Sequence, residues 1–204
     1  MAEPPVDSVI FDLGGVLIDW NPRYLYRRLF DDEAAMEAFL VEVWNTDWIR
    51  QHDAGRPFAE TVAELTALFP HHAEPIRALQ DRWPETMGGA IDDTVALLDD
   101  LRTRGLSLYA LSNFSAETFP HARERFDFLA WFDGLVISGE CGLLKPDPRI
   151  YRLLFERYGI DPQRALFIDD VADNVAGAEA VGLRARRFTT PAALRRDLSD
   201  LALL

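Results

Sequence analysis

Four short apolar runs punctuate the chain: Ser8–Leu13 (SVIFDL), Ser107–Asn113 (SLYALSN), Gly134–Ser138 (GLVIS) and Ala165–Asp170 (ALFIDD). Each is too brief for a helix and rich in β-branched or aromatic residues, the pattern of a strand buried on both faces. Arg184–Phe188 is a weaker fifth candidate. Between these runs apolar residues recur at helical spacing. The stretch Ile91–Gly105 carries Val95, Leu97, Leu98 and Leu101; it opens at Asp92 and Asp93 and stops at Gly105. Asp147 followed by Pro148 reads as an N-cap and first helical residue, starting a helix through Tyr158; Asp161–Pro162 and Thr190–Pro191 repeat the signal. Strands alternating with helices predict an α/β fold, with a parallel sheet covered on both faces.

One interval breaks the alternation. Residues 14–106 separate the first two strong strands, whereas a βαβ unit takes only about 30 residues. The surplus, residues 19–87, shows no good strand and reads as several helices. Asp32–Trp44 and Phe58–Phe69 are examples, with Pro70, Pro75 and Pro84 punctuating the rest. It is too long for a loop and is expected to be a small α-helical domain inserted after strand one, leaving 1–18 and 88–204 as the core. Trp44 and Trp83 sit at apolar helical spacing and are expected in its interior. Trp20 and Asn21, just beyond strand one, either face the substrate or pack at the hinge.

With 204 residues, 49% hydrophobic and 27% charged, the chain can bury a sizeable core without disulfides, and its single cysteine, Cys141, permits no intrachain bridge. The stretch Met1–Asp7 lacks the basic and apolar regions of a secretory leader, and no apolar run approaches the ~20 residues that span a bilayer. The expectation is a cytoplasmic protein with no membrane partner. The sequence carries no signal of oligomeric state. A formal net charge of −13 argues against a nucleic-acid partner. Lys145 is the only lysine.

Three of the four strong strands end in polar residues: Asp12, then Ser112 and Asn113, then Asp169 and Asp170. In an open parallel sheet the carboxyl ends of the strands line the ligand crevice, so these side chains are expected to converge. Taken singly each has an ordinary explanation. An Asp at a strand end is usually a turn residue or cap, and an acidic pair suits a solvated helix N-terminus. The joint occurrence is far more specific than any member.

The motifs FDLGGVL (11–17), LSN (111–113), LLKPDPRIY (143–151) and FIDDVADN (167–174) resemble, in order, the four motifs of the haloacid dehalogenase (HAD) superfamily. The match is to its subgroup with a helical cap after the first motif, and within it to sugar-phosphate phosphatases whose first motif reads Asp-Leu-Gly. The resemblance covers essentially the whole chain. It implies a Rossmann-like core and a Mg²⁺-dependent phosphatase acting on a small-molecule phosphate ester, with Asp12 as covalent nucleophile. It further implies Mg²⁺ held by Asp12, the Gly14 carbonyl and Asp170, with Asp169 acting through water or orienting the metal's shell. Ser112, the Asn113 backbone and Lys145 would bind the phosphoryl oxygens, Lys145 also offsetting the repulsion between Asp12 and a phosphate dianion. Asp173 and Asn174 would either cap a helix or orient Lys145 and the metal shell. The segment WIRQHDAGRPF (48–58) would be the cap's specificity loop, putting His52 and Arg56 on the substrate.

One position departs from the pattern. Most phosphatases of the superfamily carry a second Asp two residues after the nucleophile, as the acid and base; here that position is Gly14. General acid–base help is worth about 10²–10⁴-fold. The expectation is an ester with an intrinsically good leaving group, such as an anomeric sugar phosphate. The alternatives are that Asp19, His52 or Asp53 substitutes, or that the protein is a poor catalyst. A metal-independent 2-haloacid dehalogenase would place an aromatic residue at position 14 and lack the acidic pair. A non-catalytic phospho-acceptor of the receiver type would be shorter, capless, and have its acidic pair before the acceptor. A binding protein on a degenerate hydrolase fold is the remaining alternative.

Overall fold

The first apolar run lies at the centre of the sheet. In the computed structural model, which describes residues 4–204, Ser8–Phe11 forms β1 and all four of its residues are buried. There follow β2 (Ile18–Trp20), the helices α1 (Arg23–Tyr26), α2 (Glu33–Glu42), α3 (Thr46–Asp53), α4 (Phe58–Leu68) and α5 (Ala73–Asp81), and β3 (Met87–Ala90). The remainder alternates: α6 (Asp92–Thr103), β4 (Ser107–Ser112), α7 (Phe119–Arg125), β5 (Gly134–Ile137), α8 (Ser138–Cys141), α9 (Pro148–Tyr158), β6 (Ala165–Asp169), α10 (Ala172–Ala180), β7 (Arg184–Arg187) and α11 (Pro191–Asp200). The leaderless reading of the N-terminus falls partly on residues 1–3, outside the described residues. Among the described residues no helix is long and apolar enough to cross a membrane.

The five strands β5-β4-β1-β6-β7 form one parallel sheet in that order. The period-2 alternation of a strand divides their side chains between two faces. Ile10, Leu111 and Phe167 pack with Ile150, Tyr151 and Leu154 of α9 and Ala178 of α10. Val9, Phe11, Leu108 and Ile168 pack with Leu97, Leu98 and Leu101 of α6 and Leu194 and Leu198 of α11. This is the Rossmann-like α/β architecture, and the change of chain direction on either side of β1 puts a crevice at the carboxyl ends of β1, β4 and β6.

Helix ends follow the sequence with two corrections. Asp147 caps α9 by accepting from the Arg149 N–H (2.9 Å), Gly159 (φ 67°) ends that helix, and Thr190 caps α11. Asp161–Pro162 opens only a three-residue 3₁₀ turn, because β6 begins at once. Asp92 and Asp93 do not cap α6. They occupy its first turn, where the helix dipole favours carboxylates, and Ile91 stands at the cap.

The segment between β2 and β3 is helical as expected, but its edges are not. Strands β2 and β3 pair antiparallel, Ile18 opposite Ala90, and form a two-stranded ribbon where the chain leaves and rejoins the sheet. Three residues on one side and Gly88–Gly89 on the other are too short and too glycine-rich to register as strands. The helices share the sheet's hydrophobic core through Leu13, Val16, Leu17 and Phe114, which belong to one cluster with Tyr26, Phe39, Trp44, Phe58 and Trp83. Polar ties reinforce this. The Ser138 hydroxyl donates to the Asp53 carbonyl (2.5 Å) and accepts from the Phe114 N–H (2.9 Å). Ser138→Ala leaves both backbone groups without that partner, and is expected to destabilise the fold by about 1–3 kcal/mol in urea titration.

Candidate active site

Strand β1 ends where its apolar run ends, so Asp12 emerges at the top of the central strand. Its N–H continues the ladder by donating to the Ile168 carbonyl (2.9 Å). Its carboxylate Oδ1 accepts from the Leu13 N–H (2.7 Å) and from Lys145 Nζ (2.9 Å), and the residue is buried. The next turn folds back at Gly15 (φ 75°), where any Cβ would lie 2.7 Å from Asp170 Oδ2. Glycine there is demanded both by the backbone and by the approach of that carboxylate. Gly14 is different: its φ is not left-handed, and a Cβ would meet nothing within 4 Å.

Lys145 is buried, with 1% of its surface exposed. Its ammonium donates to Asp12 (2.9 Å), Asp169 Oδ2 (2.7 Å) and the Leu111 carbonyl (2.8 Å). An ammonium has three donors, so all are engaged, and none is left for a phosphoryl oxygen in this arrangement. The turn carrying Lys145 is held by Asn113, whose Oδ1 accepts from the Lys145 N–H (2.8 Å) and whose Nδ2 donates to the Lys145 carbonyl (3.1 Å). The Asn113 side chain thus positions the lysine. Ser112 is buried at the end of β4.

Asp169 is fully buried and saturated. Oδ1 accepts from the Val171 N–H (2.8 Å) and Asn174 Nδ2 (3.0 Å), and Oδ2 accepts from Lys145 and from Asn174 Nδ2 (3.1 Å). Asn174, left open between capping and orienting, orients Asp169; Asp173 is exposed. Asp170 is half-buried, with its carboxylate facing Gly15.

Asp12, Asp169 and Asp170 place ligand oxygens within 4.8 Å of one another. Three carboxylates therefore face one ammonium in a largely dry crevice. Burial pushes the Asp12 carboxyl up, Lys145 opposes this and Asp169 adds to it. Burial also raises Asp170, with Asp169 adding. For Lys145, burial works against the charged form, but Asp12 and Asp169 outweigh it and its pKa rises. Like charges this close are stable together only with more positive charge nearby. An all-oxygen donor set with unengaged oxygens on Asp12 and Asp170 fits a hard divalent cation.

Above these groups lies a cavity of about 80 Å³. Gly14, Asn113 and Asp53 form its polar end, and Ile18, Trp20, Ile49, Trp83 and Phe114 its apolar walls. The structure does not bring His52 or Arg56 to it. The His52 ring is buried, stacked on Phe58 (3.8 Å between centroids, 1° between planes), with Nδ1 2.9 Å from the Arg56 carbonyl. Arg56 is engaged by Gln51 (2.6 Å) and Glu64 (2.6 Å) and covers Trp48. The reason is helical phase: successive residues of α3 point about 100° apart, so a His52 turned into the helical core leaves Asp53 facing the crevice. Burial pushes the Asp53 carboxyl up to about 7, with Asp12 adding to the rise and Lys145 opposing it. Trp83, expected in the interior, is buried there and also walls the cavity; Trp20 stacks on it (5.7 Å).

Residues 6–182 match the haloacid dehalogenase-like hydrolase family, and the chain belongs to it. A phosphatase of Mycobacterium tuberculosis, MT3486, is 36% identical over 96% of this chain and 95% of its own. The sesquiterpene phosphatase astK of Aspergillus oryzae is 27% identical over 95% of each. (S)-2-haloacid dehalogenase 4A of Burkholderia cepacia is 27% identical over 90% of this chain and 84% of its own. A HAD family enzyme of Bacteroides thetaiotaomicron, crystallised with magnesium and inorganic phosphate, shares the fold with a TM-score of 0.70 at 20% identity, over 90% of this chain and 94% of its own.

Helix α10 packs on the lysine turn at Gly177, where a Cβ would stand 2.7 Å from Pro146 Cβ and 2.8 Å from its carbonyl oxygen. Gly177→Ala must displace that turn, and is expected to lower stability by about 1–3 kcal/mol in urea unfolding.

Proposed function

We propose that the chain is a Mg²⁺-dependent phosphatase that transfers the phosphoryl group of a small phosphate ester to Asp12 and then to water. The observation that carries this reading is the buried excess of carboxylates over cations at one point of the crevice, Asp12, Asp169 and Asp170 around Lys145. A haloacid dehalogenase attacks carbon without a metal and gains nothing from that excess, although one of the relatives is such an enzyme. Two relatives are phosphatases.

With the ion in place, one carboxylate oxygen of Asp12 would attack phosphorus and the other would ligate the ion; without it, Lys145 and the Leu13 N–H share Oδ1. The P–O bond to the alcohol breaks and its electron pair leaves on the alkoxide. Water then cleaves the aspartyl-phosphate and releases inorganic phosphate. Asp12, Asp170 and the Gly14 carbonyl would hold the ion, which when bound neutralises charge between the nucleophile and the phosphate. Asp169, saturated by Lys145 and Asn174, keeps both in register. Ser112 and the Asn113 backbone lie at the strand end where phosphoryl oxygens would be received. Residues 19–87 serve as the cap over this crevice.

The alkoxide needs a proton. Of the candidate substitutes for the acid missing at Gly14, His52 is stacked inside the helical segment and Asp19 accepts from the Tyr24 hydroxyl (2.6 Å). Asp53 lines the cavity beside Gly14, and burial brings its pKa to about 7, where a general acid works well. With Asp53 as donor, a good leaving group such as an anomeric sugar phosphate is no longer required.

Asp12→Asn is expected to abolish p-nitrophenyl phosphate turnover; normal rates in that variant would disprove the covalent route. Asp170→Ala is expected to raise the Mg²⁺ concentration needed for half-maximal activity, and full activity after exhaustive chelation would return the dehalogenase reading. Asp53→Asn is expected to lower kcat/KM on alkyl phosphates about 10²-fold or more, and much less on p-nitrophenyl phosphate, whose leaving group needs no proton. Gly14→Asp in that background, where a side chain meets open space, is expected to restore part of the loss.

A further inference from the structure

The crevice does not end at the catalytic cavity. Trp20 and Ile49 also line a second, outer groove of about 410 Å³, within the range of ligand pockets. The inner cavity, about 80 Å³, is much smaller than the outer groove, so a bulky alcohol must extend beyond it. What lies beyond it therefore decides what the alcohol is.

The groove is apolar along the floor and rim, with Pro22, Leu40, Val41 and Trp44 added to Trp20 and Ile49. Of its polar groups, the Arg23 guanidinium and the Asn45 Oδ1 are engaged elsewhere, and Thr46 adds one hydroxyl. Arg23 is paired with Glu37 (2.5 Å), and Asn45 Oδ1 caps α3 by accepting from the Asp47 (3.1 Å) and Trp48 (3.3 Å) N–H groups. Val41 is 70% exposed, one of three large hydrophobic residues so exposed among the described residues, and it sits at this groove. The several hydroxyls of a sugar would find few partners against so apolar a lining, which costs affinity. A hydrocarbon chain loses nothing. The net charge of −13 also repels an anionic substrate at long range, so apolar contact would add to what the metal site supplies.

We infer that the alcohol portion of the substrate is a long apolar chain, of isoprenoid or fatty alkyl type, that passes between Trp20 and Ile49 and lies in the groove formed by α1, α2 and α3. The inference rests on the phosphatase reading, and the test separates the two. The enzyme is assayed with Mg²⁺ on p-nitrophenyl phosphate, glucose 1-phosphate and a series of alkyl and prenyl monophosphates from two to fifteen carbons.

Each buried CH₂ adds about threefold to fourfold in affinity, so kcat/KM is expected to rise by about 10²-fold or more for each five carbons fully buried until the groove is filled. Farnesyl against dodecyl monophosphate distinguishes isoprenoid from fatty chains, and a gain with either supports the inference. Val41→Asp, at an exposed position that folding tolerates, is expected to flatten the series, reducing the ratio of kcat/KM between fifteen-carbon and five-carbon esters at least tenfold. Turnover of p-nitrophenyl phosphate without a gain along the series, or with glucose 1-phosphate preferred, overturns this inference and leaves the phosphatase reading standing. A gain that Val41→Asp does not diminish places the chain outside the groove and also overturns it. No turnover of any ester removes both.

Discussion

The Lys145 ammonium, held between Asp12 and Asp169 out of contact with water, is the contact on which the rest of the crevice depends. Removing either carboxylate leaves a buried cation with too few partners, and removing the lysine leaves two buried anions face to face. Either loss of a partner costs far more than the pair contributes over a well-packed apolar replacement. The surroundings are built accordingly. Asn113 clamps the lysine's backbone from β4, Asn174 fills the remaining acceptors of Asp169 from α10, and Gly177 lets α10 close on the lysine turn. Three elements of the sheet and one helix are thereby locked in register around a single nitrogen.

Such an arrangement is stable yet incomplete. One ammonium balances one of three carboxylates, and burial raises the pKa of both Asp12 and Asp170, with the nearby Asp169 charge adding to each. The unbalanced charge is localised where Gly15 permits the closest approach of Asp170 to the nucleophile loop. A fold that served only for stability would have no use for charges so placed. The arrangement becomes sensible once a divalent cation and a phosphate dianion are added, each compensating the other.

Much of this was legible in the sequence, because the features that position the site are local. A strand that is apolar to its last residue and then turns polar announces both its burial and its functional end. Asp12, Ser112–Asn113 and Asp169–Asp170 were readable for that reason, and the order of motifs located Lys145. The ribbon of β2 and β3 was not readable, since three residues on one strand and two glycines in the other carry no periodicity. The segment offers His52, Asp53 and Arg56 alike, and of these only Asp53 lines the cavity. Polarity alone cannot distinguish His52 from Asp53, and the choice is made by the Phe58 ring on which His52 stacks, a contact within the helical segment that no motif encodes. Spacing alone makes Trp83 a packing residue and leaves Trp20 open between packing and facing a ligand; the fold shows both packed on each other and walling a cavity.

The open space at Gly14 and the carboxyl of Asp53 belong to one solution. A side chain at position 14 would project into the same small cavity that Asp53 reaches from α3. Moving the proton donor from the nucleophile loop to the helical segment has a mechanical consequence. An acid on the loop is in place whenever the core is folded, whereas an acid on α3 is in place only when that helix sits down on the crevice. Its seat is specific: the carbonyl of Asp53 itself is bonded by the Ser138 hydroxyl, which also holds the backbone beside Asn113. In the proposed mechanism, protonation of the leaving group would thus be tied to the seating of α3, which also sets Ile49 beside Trp20 and Trp83 at the cavity wall. The same contacts that would place the donor would then shield the site from water, so under that reading an ester whose alcohol fills the apolar walls is the one best served by it.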